Sequence, residues 1–379
     1  MRLYLDYNAT CPMPESVALA TIEASRKSLG NPSSMHWAGR EARRLLDDAR
    51  DCLADFLGVE PGSIVFTSGG SESNNLAIAG HLLRVAKNAQ KQKVITTAIE
   101  HPSVLKTLEF WCDQLDFDLL TISPRENGVV DASDIIRKLD DATAMVCMMW
   151  ANNETGIIQP AAEIVSACRT RNIPVLIDAV QVLGKAPMDL AKLDADFVSL
   201  SAHKIGGPKG VGCLVVRRGS TLLPWLLGGG QERGRRSGTE NVAGAVGFAH
   251  ALGCKDFSQC VSVRDYFESE LLKYMPDVTV YGQAVQRVGN TSMFAVPGMD
   301  GETLLMQLDL AGFAVASGSA CSSGKREPSH VLQAMGVDVR LARSSLRVSF
   351  GPEHQNVDAD ALVRELLRIR MLLRKMAGL

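Results

Sequence analysis

Short apolar runs at 63–67, 94–98, 118–122, 144–150, 174–177, 197–201 and 212–217 alternate with longer amphipathic stretches in this chain. Runs of this length between turn residues suit strands buried on both faces, and the stretches between them have helical spacing. A chain patterned this way builds a mainly parallel sheet with helices on both sides. The last link, 202–211, is glycine-rich and too short for a helical crossover. The seventh strand is therefore expected to run antiparallel to the sixth. The expected fold class is α/β, around a mainly parallel seven-stranded sheet.

The flanks follow different rules. Pro12 and Pro14 delay the first helix, which is expected over 18–28. A charged amphipathic helix then runs to Leu57, with Gly58 as its stop. Beyond the sheet, three glycines (Gly228, Gly229, Gly230) and three arginines (Arg233, Arg235, Arg236) mark an irregular loop over 219–242. Helices are expected over 242–253 and 262–274, and strands at 278–281, 291–296, 313–316 and 345–349. A last amphipathic helix carries Leu362, Leu366, Ile369 and Leu373 on one stripe. With 379 residues, two domains are expected: a large one over 15–253, and a smaller α+β one built from 1–14 and 254–379.

Composition narrows the function classes. A formal net charge of −2 gives no general attraction for nucleic acid or anionic lipid, so neither is an expected partner. No apolar run approaches the roughly 20 residues of a membrane span. The start, Met1-Arg2-Leu3-Tyr4-Leu5-Asp6, has charge where a signal peptide is apolar. A cytoplasmic location is expected. The nine cysteines include no C-x-x-C pair, which disfavours a zinc site or a disulfide framework. Cys147 and Cys213 lie inside apolar runs and read as small buried hydrophobes.

Open α/β sheets bind ligands beyond the carboxyl ends of their strands. The exits here are rich in polar groups. After the first strand, Ser68-Gly69-Gly70-Ser71-Glu72-Ser73 opens a helix, and its small residues leave backbone N–H groups free to meet a phosphate. It lacks the Gly-Lys-Ser/Thr of a nucleotide-binding P-loop. The next exits supply His101, then Asn152-Asn153-Glu154-Thr155-Gly156, then Asp178 with Gln181, then Ser201-Ala202-His203-Lys204. Any one of these is ordinary: a lysine at a strand exit is usually a surface residue. Together they describe a pyridoxal phosphate site, with phosphate on the helix N-terminus, a carboxylate on the ring nitrogen and a Schiff-base lysine.

On these motifs, with Tyr4–Thr10, Thr67–Asn75, Ser201–Gly210, Arg236-Ser237-Gly238-Thr239 and Ser317–Gly324, the chain resembles the cysteine desulfurases of the NifS/IscS type. These form a class-V aminotransferase branch of the fold-type I pyridoxal phosphate enzymes, and the resemblance covers nearly the whole chain. It implies that Lys204 holds the cofactor, that Asp178 partners the ring nitrogen, and that Gln181 meets the ring hydroxyl. It implies that His101 stacks on the ring and joins in catalysis, and that Gly70, Ser71, Ser201 and His203 contact the phosphate. Thr239 would reach the phosphate of the other subunit, making the enzyme a homodimer. Asn153 would lie near ring and substrate, and Arg347 would grip the substrate carboxylate. For Arg233 and Arg235 a solvated loop is expected.

Cys321 sits among small residues that cannot pack a core, so an exposed, mobile segment is expected. The resemblance makes it the cysteine that takes sulfur from L-cysteine as a persulfide, leaving L-alanine. As a transient iron–sulfur ligand it is also the one metal-binding residue expected. A sulfur-acceptor protein is the implied partner, either an iron–sulfur scaffold or a thiolation enzyme. Two features depart from the housekeeping members: Lys325-Arg326 after the cysteine, and a chain that stops at Leu379 without the tail used to dock the scaffold. The acceptor is thus left open between iron–sulfur cluster assembly, nitrogenase, tRNA and DNA modification. The rival readings are a selenocysteine lyase or another enzyme of this cofactor class, and a non-catalytic protein on the same fold. Turnover of cysteine, selenocysteine and a keto acid separates the first rival, and cofactor-linked absorption separates the second.

Overall fold

The computed structural model describes residues 2–88, 90–317 and 328–376. The chain opens with β1 (Leu3–Tyr4), α1 (Glu15–Lys27) and α2 (Trp37–Leu57). The α/β rhythm follows as β2 (Ile64–Thr67), α3 (Gly70–Val85), β3 (Lys93–Thr97), α4 (Pro102–Leu115), β4 (Asp118–Ile122) and α5 (Ala132–Ile136). It continues with β5 (Thr143–Met149), α6 (Ala161–Arg169), β6 (Val175–Asp178), α7 (Leu190–Leu193), β7 (Phe197–Ser201) and β8 (Gly212–Val216). Then come α8 (Val242–Ala251), α9 (Cys260–Tyr274), β9 (Thr279–Val280), β10 (Thr291–Ala295) and α10 (Gly301–Leu310). The last elements are β11 (Phe313–Ala314), β12 (Ala316–Ser317), α11 (His330–Ala334), α12 (Val339–Arg343), β13 (Ser345–Ser349) and α13 (Asn356–Met376).

The seven-stranded sheet has the order β2-β8-β7-β6-β5-β3-β4. All its pairings are parallel except those of β8, which is antiparallel to β7 and β2. The short glycine link therefore acts as expected. Every residue of β5, β6, β7 and β8 is buried, which explains why these strands are mainly apolar instead of alternating with exposed polar residues. Gly212 has a second task where β8 begins. A side chain there would meet the Gly69 Cα at 2.6 Å, so two glycines let the β2–α3 turn lie directly on β8.

A four-stranded antiparallel sheet, β12-β13-β10-β9, holds the C-terminal strands. β1 does not join it. It pairs in parallel with β11 as a two-stranded ribbon, and the Asp6–Ser349 bridge ties the following residues to β13. Leu5, Tyr7, Phe267, Phe294, Leu308, Phe350, Leu362, Leu366 and Ile369 form one buried cluster behind these strands. The expected strand over 313–316 is thus split in two, and the helix α10 has no counterpart in the sequence reading. Asp300 caps α10 through Thr303 N, 2.9 Å, and Leu304 and Leu308 are its buried stripe. The eight described cysteines are unpaired, and Cys147 and Cys213 are fully buried. No described helix is long and apolar enough to cross a membrane.

The glycine-arginine loop is pinned from within. Buried Arg50 on α2 donates to both carboxylate oxygens of Glu232, at 2.8 and 2.9 Å, and to Ile64 O at 2.8 Å. Glu232 also accepts from Phe66 N at 3.1 Å. Glu232 and Arg233 both have positive φ, 48° and 59°, a conformation these contacts sustain. Arg236 adds a two-pronged pair to Glu72 at the start of α3. Arg235, expected in solvent, is half-buried and donates to Gly62 O at 2.9 Å. Truncating Glu232 leaves a buried guanidinium without its anion. Glu232→Ala should lose about 3–5 kcal/mol of stability in urea unfolding, whereas Arg218→Ala, on an exposed pair with Glu60, should lose less than about 1 kcal/mol.

Candidate active site

The carboxyl edge of the large sheet and the middle of β13 face a cavity of about 350 Å³. Gly70, Ser71, His101, Asn153, Asp178, Gln181, Ser201, His203, Lys204 and Arg347 all line it. These expected site residues are scattered over nearly 280 positions of sequence, and parallel strands sharing one exit edge bring them together. Thr239 is exposed and does not line this cavity. Cys321 lies outside the described residues.

Lys204 stands on the short turn Ala202–Ile205 that ends β7, closed by Gly206 in the left-handed region at φ 87°. Its ammonium donates to Asn8 O at 2.6 Å and Ala9 O at 3.0 Å. Burial and the charge of Arg347 lower its pKa to about 8, against the pull of Asp178 and Asp6. A lysine so placed is a nucleophile and proton acceptor near neutral pH.

Asp178 ends β6 only 7% exposed. Its carboxylate accepts from Asn74 Nδ2 at 2.9 Å and from Val180 N at 3.1 Å. The resemblance gives this carboxylate the ring nitrogen as its partner, but does not point to Asn74. A buried asparagine in the first turns of α3 was the available signal. Asn74 also donates to Ser103 Oγ at 2.9 Å, and Ser103 Oγ lies 2.8 Å from His101 Nδ1. The His101 ring caps α4 by accepting from Ser103 N at 3.1 Å. Nδ1 is therefore the acceptor, and in the neutral ring Nε2 carries the proton. The ring is open to solvent by area, yet protein around it and the charges of Lys204 and His330 lower its pKa despite Asp178. Both features keep it neutral.

The other end of the cavity is built for an anion. Gly69 has φ 152°, which few residues other than glycine adopt. A side chain on Gly70 would meet Val180 Cγ2 at 2.7 Å. Beside these glycines the buried Ser201 Oγ has no hydrogen-bond partner. The first N–H groups of α3 and the dipole behind them face the same space. His203, whose pKa burial and the neighbouring lysines Lys204, Lys209 and Lys185 push down to about 4, is a neutral donor or acceptor here.

Arg347, in the centre of β13, approaches from the opposite wall. It donates to Asp6 Oδ1 at 2.6 Å and to Asn153 O at 2.9 Å. Its buried Nε has no partner. A guanidinium held this way is shaped to take a carboxylate. Asp6, Asn8 and Asn74 are site-building residues that the sequence reading did not single out. Each lies inside a stretch whose resemblance was noted, but no local pattern reveals which way an amide or carboxylate is used.

The comparisons with known proteins agree with this geometry. The sequence pattern of the aminotransferase class-V family matches residues 3–362. The chain belongs to that family. It is 38% identical over 380 residues to "Cysteine desulfurase IscS" of Dictyoglomus turgidum, covering 98% of this chain and 96% of that one. Among solved structures it is similar to a "NIFS-like protein", with TM-score 0.90, 34% identity and coverage of 98% and 100%. It is also similar to "SspA in complex with cysteine", with TM-score 0.83, 31% identity and coverage of 93% and 99%.

Class-V aminotransferases use pyridoxal phosphate, and the residues present fit it. The glycine cradle with its orphaned serine suits the phosphate. Asp178, held by Asn74, suits a protonated ring nitrogen, and Lys204 suits the aldehyde. Among the described residues no cluster of His, Cys, Asp and Glu could hold a metal ion.

The lowered lysine pKa is directly testable. An amine-directed acylating reagent should modify Lys204 of the cofactor-free protein with a rate that rises through about pH 8, as read by peptide mass spectrometry. A profile centred near 10.4, the ordinary lysine value, would contradict the burial argument.

Proposed function

We propose that this class-V aminotransferase is a pyridoxal phosphate-dependent cysteine desulfurase. It converts L-cysteine to L-alanine and transfers the sulfur to Cys321 as a persulfide. The observation that carries the reading is the meeting, at one cavity, of a lysine with a depressed pKa, a buried carboxylate, an anion cradle and an arginine. Relatives matched over nearly their whole length include a cysteine desulfurase, and one structural neighbour was described with cysteine bound.

In this reading Lys204, Asp178, Gln181, His101, Gly70, Ser71, Ser201 and His203 hold the cofactor. Bound there, pyridoxal phosphate supplies an electron sink for an amino acid joined to it. The protein supplies the rest. Arg347 orients the substrate carboxylate, and Asn153 borders the same space. Lys204, neutral for part of the time near pH 8, takes the proton from the substrate Cα. His101 covers the ring and moves protons through Nε2. The Cys321 thiolate attacks the substrate sulfur: an S–S bond forms, the C–S bond breaks, and the carbon regains protons to leave as alanine.

The finer assignments belong to the same proposal. The chain divides into a large domain over 15–253 and a small one of 1–14 with 254–379. It works as a homodimer, in which Thr239 reaches the partner's phosphate site. The exposed Leu226, Leu227 and Trp225, next to the pinned glycine-arginine loop, support that interface. The sulfur passes to an acceptor protein for iron–sulfur cluster assembly or another thiolation in the cytoplasm, with Cys321 as the only residue offered to iron.

Lys204→Ala should lose the lysine-linked absorption and turn over about 10³-fold more slowly or worse. Cys321→Ala should keep that absorption and bind L-cysteine, but form no persulfide by mass spectrometry. Normal sulfide release from Cys321→Ala would remove the persulfide role, and faster turnover of selenocysteine than of cysteine would favour a lyase.

A further inference from the structure

A second lysine stands behind the first. Lys185 follows β6 and is only 7% exposed. Its ammonium donates to Gln181 Oε1 at 2.6 Å and to Asn8 Oδ1 at 2.9 Å, and faces the Phe257 ring at 5.9 Å. Neither acceptor is a carboxylate. A buried cation satisfied only by neutral amides is costly, and an apolar side chain would pack against Phe257 at less cost.

The two acceptors explain the choice. Gln181 Nε2 donates to Asn8 O at 3.0 Å, the same carbonyl that accepts from Lys204 at 2.6 Å. An ammonium can only donate, so Oε1 of Gln181 must turn toward Lys185 and Nε2 away from it. Gln181 then keeps one further N–H beside the cavity that it lines. Asn8 Oδ1 is likewise held toward Lys185, leaving Asn8 Nδ2 to donate to Asn153 O at 3.2 Å and Thr291 Oγ1 at 2.8 Å.

We infer that Lys185 is a positioning residue of this site: through Asn8 and Gln181 it orients the groups that face the cavity, and it sets a second cation behind the Lys204 amine. The inference rests on the pyridoxal phosphate reading of the cavity. The titratable and charged groups facing Lys185 are Lys204, Arg347, Cys11, Cys260 and His203. Burial pushes both thiols up, to about 11 for Cys11 and about 12 for Cys260, so neither provides an anion at neutral pH. Burial first, then Lys204 and Arg347, lowers the pKa of Lys185 to about 7. The two lysines thus disfavour each other's protonation. While charged, Lys185 makes it harder to protonate the Lys204 nitrogen, whether as free amine or joined to the cofactor.

The sign of this coupling is what a merely structural lysine would not give. The experiment is a pH titration of the lysine-linked absorption in pyridoxal phosphate-loaded wild type, Lys185→Met and Lys185→Arg, without substrate. Lys185→Met removes the cation, and its midpoint should rise above that of the wild type. Lys185→Arg keeps the charge at every pH, and its midpoint should fall below that of the wild type. Coincident midpoints in the three proteins overturn the inference. If Lys185→Met shows no cooperative unfolding transition, Lys185→Arg decides alone, and a midpoint at or above the wild-type value overturns it. A wild type that forms no lysine-linked absorption overturns the cofactor reading and this inference with it. A wild-type chromophore whose midpoint ignores residue 185 overturns this inference alone.

Discussion

The hydrogen bonds of Asn8 hold the site together. Its backbone N–H donates to Ser349 Oγ, and its carbonyl accepts from Gln181 and Lys204. Its side-chain oxygen accepts from Lys185 and Asn290, and its side-chain nitrogen donates to Asn153 O and Thr291 Oγ1. One buried residue therefore joins the exits of β5, β6 and β7 to β10 and β13. Leaving such a group half-satisfied in a water-poor interior costs about as much as a lost hydrogen bond at each atom. The N-terminal residues thus act as a clasp between the two sheets, with β1 and the Asp6–Ser349 bridge fixing their path.

This clasp explains how groups of like charge share so small a space. Lys204, Lys185 and Arg347 lie close enough to feel one another's charge, with Asp6 and Asp178 as the nearby anions. Repulsion and burial push protons off the lysines, whereas arginine keeps its charge under any ordinary condition. The result is a difference set by environment: a permanent cation at Arg347, and amines that exchange protons near neutral pH. The neutral His101 and His203 extend it, since burial and the neighbouring cations hold both rings uncharged.

Much of the fold was legible because parallel strands covered on both faces are mainly apolar. That pattern marks all seven strands of the large sheet to within a residue or two, and the short glycine link predicts the reversed β8. The smaller sheet was read less well. Its strands are short, and β11 and β12 look like one run until their different partners separate them. The helix α10 was missed although Pro297-Gly298 precedes it and Gly312 follows it, because its ten residues bury only the short stripe of Leu304 and Leu308 between two strands. Arg235 was misread because a loop of glycines and arginines looks solvated, and nothing local reveals that Gly62 O awaits it.

By itself the sequence determined the α/β class, the set of residues at the strand exits and, through the resemblance of its motifs, the cofactor and the chemistry. These are properties of residue type and spacing along the chain. Tertiary structure alone decided the partners: Asn74 for Asp178, Asp6 for Arg347, and Asn8 with Gln181 for Lys185. An amide or a carboxylate carries no mark of its partner, because hydrogen bonding depends on which groups folding brings within about 3 Å. The same is true of charge. Lys204 and Lys185 are ordinary lysines in the sequence, and only burial, the charge of Arg347 and, for Lys185, the charge of Lys204 make them amines that titrate near neutral pH.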